Sequence, residues 1–274
     1  MKQVKTTAFV LTFILLITNL FAQSGTNEQL TVPLSIPGKS YSLKVNLVNG
    51  SIKVSGYDGK DIVIDVTTPG SKNKETISDA PNGMKRISAL KGYEVTAKEE
   101  NNNVNVFTGN PERTFYLALK VPQGGKLKLS TVNNGAIEVD NVKGELEVIN
   151  VNGAIKLTKI SGSVVANTVN GDVSAEFITV NPTPMAFSTL NGDINVTLPA
   201  DIKANLKLKS DHGEVFSDFD IDVDKNPPKV NKTEEPGMYK IKLEDWIYGK
   251  LNGGGPEILM KNMEGNIYIK KAAK

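Results

Sequence analysis

The sequence predicts an all-β protein, a β-solenoid or β-roll-like repeat of short strands with Asn-Gly turns. Three observations carry that prediction. One phrase keeps returning: VNNGAIEV at 132–139, VNGAIKL at 151–157, VNGDVSA at 169–175 and LNGDINV at 190–196, with weaker copies VKGELEV at 142–148 and ISGSVVA at 160–166. Its glycines fall at 135, 144, 153, 162 and 171, nine apart, and then at 192 and 213, each 21 further on. Fixed spacing of this kind marks a repeat architecture. Within each copy apolar and polar residues alternate, which places Ile137, Val139, Ile155, Leu157, Ile194 and Val196 inside and Glu138, Lys156 and Asn195 outside.

Asn-Gly suits positive φ, because Gly has no Cβ and Asn can bond its own backbone. A hairpin meander would use the pair as two-residue turns. A solenoid would use it at a corner, with coils of 18 to 21 residues, as the glycine spacing gives. Meander hairpins have no reason to keep a nine-residue step, so the spacing favours the solenoid. Asn133 or Asn134, Asn152, Asn170 and Asn191 would then stack as an amide ladder with rungs about 4.8 Å apart.

Taken in order, residues 1–22 read as a secretory signal: Lys2 and Lys5, an apolar run from Ala8 to Leu20, and Ala22 before Gln23 for cleavage. The run falls short of the roughly 20 apolar residues that a membrane span needs, so no transmembrane segment is expected in the mature chain. The chain has no Cys, which excludes a lipid anchor on Cys and leaves burial to hold an exported fold together. LKVNLVNGSIKV (43–54) and DIVIDV (61–66) follow as strands around a Gly56–Gly59 turn, before the pattern lapses into a loop. Strands resume at YEVTAK (93–98), VNVF (104–107) and TFYLALKVP (114–122), with Asn101 to Asn103 as a turn. A Pro-rich interruption covers 226–236, and YKIKL (239–243), 246–260 and NIYIKK (266–271) close the chain. No helix is expected outside the signal. One elongated β-repeat domain thus spans 23–274. It comprises N-terminal strands at 41–122 with a loop at 67–91, core repeats at 123–219 and C-terminal strands at 237–271.

The charges are 32 Lys and Arg against 30 Asp and Glu. Losing residues 1–22 removes two Lys and no acid, leaving 30 against 30. A neutral chain without a basic stripe does not read as a nucleic-acid binder. Arginine occurs only as Arg86 and Arg113, so bidentate clamps on phosphate or carboxylate are scarce.

VNGSIKV followed by DIVIDV, LKVP leading into KLKLSTVNNGAIEV, the Asn-Gly repeats and a closing GKLNGGGPEILMKNMEGNIYI occur in that order. Together they resemble a bacterial family of exported β-strand-repeat proteins of unknown function, commonly labelled putative adhesins. The resemblance spans most of 41–269 and departs mainly at 67–91 and 218–236. It implies an all-β solenoid-like fold at the cell envelope and supplies no catalytic residues.

Several clusters invite a functional reading. Asp172, Asp193 and Glu214 each follow a repeat glycine and would line up on adjacent rungs. Close like charges raise one another's pKa or call for a cation, and hard oxygen ligands suit Ca²⁺. The stronger reading makes them ordinary solvated turn residues. In SDFDIDVD (217–224) four acids share one face and would meet Lys207 and Lys209 on a neighbouring strand. His212, the only His, occupies the Asn slot of the repeat, and with no Cys this excludes Ser-His and Cys-His catalysis. Trp246 and Tyr248 sit on one strand face beside Gly253–Gly255. Stacking of a sugar ring is their functional reading and packing is the stronger one. The triple Gly lacks the Lys-Ser/Thr of a phosphate loop.

These residues point to a non-enzymatic envelope or surface protein with adhesin-like binding of a glycan or envelope protein, without catalytic residues or a bound cofactor. It would reside in the periplasm, at the outer-membrane surface or outside the cell. A periplasmic sensor or regulatory partner of a membrane protein is the alternative. A glycan-cleaving β-helix enzyme ranks last, because Asp172 with Asp193 is the only carboxylate pair the repeat encodes and exposed turn acids lack the apolar surroundings of a general acid.

Overall fold

A strand with one apolar face buries it only against a second layer, and the repeat supplies that layer by turning back on itself. The structure is a computed structural model describing residues 27–69, 94–224, 229–235, 238–244 and 246–273. The expected signal at 1–22 and most of the expected loop at 67–91 lie outside the described residues. Strands are numbered in chain order. Wall A of the solenoid runs β5 (Val95–Glu100), β6 (Asn103–Thr108), β2 (Ser42–Asn46), β8 (Gly125–Thr131) and β10 (Lys143–Asn150). It continues through the second half of β11 (Ile155–Asn167), β13 (Met185–Ser188), β21 (Glu257–Glu264), β15 (Ala204–His212), β20 (Ile247–Leu251) and β17 (Asp222–Val223).

Wall B runs β1 (Asn27–Pro33), β4 (Asp61–Thr67), β7 (Phe115–Pro122), β3 (Gly50–Tyr57) and β9 (Ile137–Asp140). The first half of β11, β12 (Val173–Val180), β14 (Ile194–Leu198), β22 (Ile267–Lys271) and β16 (Val215–Ser217) complete it. β18 (Lys229–Glu235) and β19 (Met238–Glu244) form a separate antiparallel hairpin. β18 thus occupies part of the stretch expected to be a Pro-rich interruption, and residues 229–235 contain no Pro to break its ladder.

Walls A and B pair in parallel from coil to coil, which is the solenoid that the nine-residue step predicts. The expected inward residues Ile137, Val139, Ile155, Leu157, Ile194 and Val196 are all buried. The glycines form two columns, one at each corner. Gly50, Gly135, Gly153, Gly171, Gly192, Gly265 and Gly213 stack at the front corner, and Gly125, Gly144 and Gly162 at the back. A Cβ on Gly153 would come within 2.1 Å of the Gly135 carbonyl oxygen, and one on Gly162 within 1.9 Å of that of Gly144. Only a residue without a side chain lets consecutive turns approach so closely. The weak copies VKGELEV and ISGSVVA are therefore the back corners, half a coil out of phase with the strong ones.

The order of coils in space departs from the order in sequence. Along the axis the coils are β2–β3, β8–β9, β10–β11, β11–β12, β13–β14, β21–β22 and β15–β16. The last segment of the chain thus slots between two coils that the sequence places side by side. Its phrase MEGNIYI (263–269) is a disguised repeat, with Glu264 in the Asn slot. The N-terminal end is finished by antiparallel strands. There the β5–β6 hairpin turns through Asn101 and Asn102 at φ 52° and 59°, the turn expected at those residues. Hydrogen bonds from the Ser35 hydroxyl, then the Asn102 N–H, hold the Glu99 carboxylate below its ordinary pKa.

Candidate functional site

The Asn-Gly corners form three parallel ladders, each built from one position of the phrase. Outermost are the side-chain amides: Asn152 donates to Asn133 Oδ1 at 2.9 Å, Asn170 to Asn152 at 2.8 Å and Asn191 to Asn170 at 2.7 Å. Asn134 joins the same ladder by donating to Asn49 Oδ1 at 3.1 Å. This is the expected stack, and it ends on Glu264, whose carboxylate meets His212 Nδ1 at 2.9 Å. His212 therefore does hold the repeat's Asn position, one coil beyond the inserted one.

The second ladder, just inside the first, was missed in the sequence. Thr131, Asn150, Thr168, Thr189, Asn262 and Ser210 each donate a side-chain hydrogen bond to the glycine carbonyl of the preceding coil along the axis, at 2.8 to 3.1 Å. These residues stand just before the Asn-Gly pair, or before Glu264-Gly265 and His212-Gly213 in its place, so the signal was present. Buried carbonyls need a donor, and short polar side chains supply one at each turn.

The third ladder follows the glycine and contains the expected carboxylates. Asp172 Oδ1 accepts the N–H of Asp193 at 2.9 Å, Asp193 Oδ1 accepts that of Asn266 at 2.7 Å, and Asn266 Oδ1 accepts that of Glu214 at 2.9 Å. The three acids do not occupy adjacent rungs: the inserted coil puts Asn266 between Asp193 and Glu214. Among the described residues no group of three or more His, Cys, Asp or Glu is placed to hold a metal ion. Asp172 and Asp193 brace the turn by accepting main-chain N–H groups.

The acids of 217–224 are not on a strand that pairs with β15, which carries Lys207 and Lys209. β17 pairs with β20, so Asp222 registers with Lys250, while Asp218 accepts the N–H of Lys271 at 2.7 Å. Lys209 pairs with Asp211 at 2.9 Å, and Lys207 lies 4.8 Å from the centre of the Trp246 ring. That cation–π contact fixes the expected aromatic pair on the outer face of wall A. Trp246 is half-buried, whereas Tyr248, in register with Lys207, is 42% exposed. Tyr248 borders a depression of about 540 Å³, whose rim carries Asn205, Asp222, Asp224, Lys250 and Glu257. Of the glycine run beside it, Gly253 is exposed and Gly255 is closely packed: Asn205 donates to the Gly255 carbonyl at 2.6 Å, and a Cβ on Gly255 would meet the Lys203 carbonyl oxygen at 2.3 Å.

Sequence comparison agrees with this architecture. The family model described as Toastrack DUF4097 matches residues 3–245. The chain is a member of that family. The match stops just short of Trp246. No curated protein matches this Toastrack chain. Among solved structures it is similar to a putative cell adhesion protein from Clostridium sporogenes, at 14% identity and a TM-score of 0.45, over 90% of this chain and 100% of that one. A putative adhesin from Bacteroides fragilis is similar at 8% identity and a TM-score of 0.30, over 90% of this chain and 97% of that one.

Two further features of this Toastrack fold escaped the sequence. Phe216 and Tyr268, from strands far apart in the chain, stack with ring centres 5.3 Å apart and planes 13° apart. A cleft of about 500 Å³ opens at the back corner, where residues 199–203 lead past the inserted coil, with Ile178, Met185, Ile202 and Ile258 among its walls. Neither leaves a local pattern, because each is made by the order of the coils.

Proposed function

We propose that the protein is a non-enzymatic, exported envelope or surface component that holds a glycan on the outer face of wall A. The observation that carries this reading is the Trp246–Tyr248 patch. An indole steadied by Lys207 and an exposed phenol stand beside a depression ringed by amide, ammonium and carboxylate groups. Aromatic faces pack on the C–H faces of a sugar while such polar groups bond its hydroxyls. In this reading Asp172 and Asp193 serve the fold as turn braces and do not form an acid–base pair.

Trp246 is the only tryptophan, so its fluorescence reports on this patch alone. Titration with purified cell-wall fragments and surface polysaccharide should shift that emission saturably. Tyr248→Ala should weaken the response while the melting temperature stays unchanged. No saturable change with any envelope fraction would refute glycan binding. Protease shaving of intact cells locates the protein, and a protected periplasmic pool would move the reading to a sensor that docks on a membrane protein.

A further inference from the structure

The two walls end differently at the C-terminal end. Beyond β15, wall A continues through β20 to β17, whereas wall B stops at β16. Among the described strands β16 pairs with β22 alone. Its bonds to β22 run through the Glu214 carbonyl, which accepts the Ile267 N–H at 2.9 Å, and through the Asp218 N–H, which donates to the Ile269 carbonyl at 3.2 Å. Alternation along a parallel strand turns the main-chain groups of Val215 and Ser217 the other way, toward the open side. Ile247 marks the missing strand from within. It shares a face with its register partner Leu208, which is buried, yet Ile247 is 39% exposed. A strand added to β16 would lie opposite it and complete another coil.

The side chains at this edge define what could fill it. Phe216 is 44% exposed, with one ring face on Tyr268 and the other turned away from it. On the same face of the strand Glu214 and Asp218 flank it, Asp220 follows, all three are exposed, and residues 211–224 contain no Lys or Arg. Two lysines beside the patch hold their ammonium groups over its rings: Lys270 lies 5.6 Å from the Tyr268 ring centre, and Lys271 lies 5.3 Å from that of Phe219. Two copies meeting edge to edge would bring these acids together, so the charge that blocks self-pairing selects the opposite charge in a partner.

We infer that the β16 edge receives an extended basic polypeptide segment as an added strand. Its main chain pairs with Val215 and Ser217, an apolar side chain covers Phe216, and lysine or arginine side chains meet Glu214 and Asp218. Main-chain bonds give such complexes affinity, and alternate side chains give them specificity. This inference does not rest on the glycan reading, which concerns the outer face of the other wall.

A fluorescently labelled peptide alternating lysine with valine and phenylalanine tests it by anisotropy with the full mature chain. Binding should be saturable and should weaken as salt rises. The double substitution Glu214→Lys and Asp218→Lys should weaken it about tenfold or more. Phe216→Ser should weaken it with the chain still folded, although the lost stacking on Tyr268 lowers the melting temperature somewhat. A peptide of the same sequence, N-methylated at alternate residues, cannot extend a ladder and should not bind. This last control leaves the protein untouched, so it stands even if a variant folds poorly. Equal binding of the N-methylated peptide, or no binding of either, would overturn the proposal. So would concentration-dependent dimerisation of the protein alone that Phe216→Ser abolishes, which would assign the edge to a second copy.

Discussion

Thr189 donates its hydroxyl to the Gly171 carbonyl at 2.8 Å, and Asn262 reaches the Gly192 carbonyl at 3.1 Å from a fully buried position. The two side chains do one job with different remainders. Thr189 is nearly consumed by its bond, whereas Asn262 also brings an Oδ1 that finds no partner. Thr189→Val keeps the shape, removes the donor and strands a carbonyl, so it should cost about 1–3 kcal/mol in chemical denaturation. Asn262→Thr retains a donor and removes the orphaned acceptor, so its melting temperature should equal or exceed that of the parent. A clear drop for Asn262→Thr would show that the amide's volume matters more than its unpaired oxygen. Asp172 and Asp193 belong to this scale too. Their type suggested a cation site, but the partner of each is an N–H one rung away, and that neighbour is invisible in a linear reading.

Within one coil, the alternation of Ile155, Lys156 and Leu157 sorts inside from outside with no ambiguity. Ile155→Asp places an unpaired carboxylate in the dry interior and should cost about 3 kcal/mol or more. Lys156→Asp, on the solvent face, only sets an acid opposite Glu138 and should cost less than about 1 kcal/mol. Equal losses of melting temperature would refute the assignment of faces. Strand period, corner glycines and the amide ladder were legible because each recurs at a fixed offset in every copy. The coil at 257–271 was harder to see, since Glu264 replaces Asn in its phrase. Equivalent repeats also present equivalent edges, so no local residue announces which coil will sit beside which. Trp246 and Tyr248 were legible as an aromatic pair, but the cation beside them was not, since the fold brings Lys207 from another strand.

Across the whole molecule, β21–β22 is an interior coil made by the end of the chain. It pairs with β13 and β14 on one side and with β15 and β16 on the other. Deleting residues 253–274 would therefore open a gap in the middle of the stack. The expected result is loss of amide-exchange protection in β14, β15 and β16 together, with β8 to β10 still protected. Fraying confined to the last few residues would contradict the coil order. The same interposition governs assembly. A chain synthesised from its N-terminus can wind its early coils as they emerge, since each lies beside one already formed. After β14 this stepwise winding halts. β15 and β16 have no place to dock until residues 257–271 have arrived, so the final third must close in a single late event built on distant contacts. Until then β14 presents an unsatisfied edge, the state most open to proteases and to misassembly. The closing segment thus works as a keystone, and a chain broken off before it would be recognisable as unfinished from its shape alone.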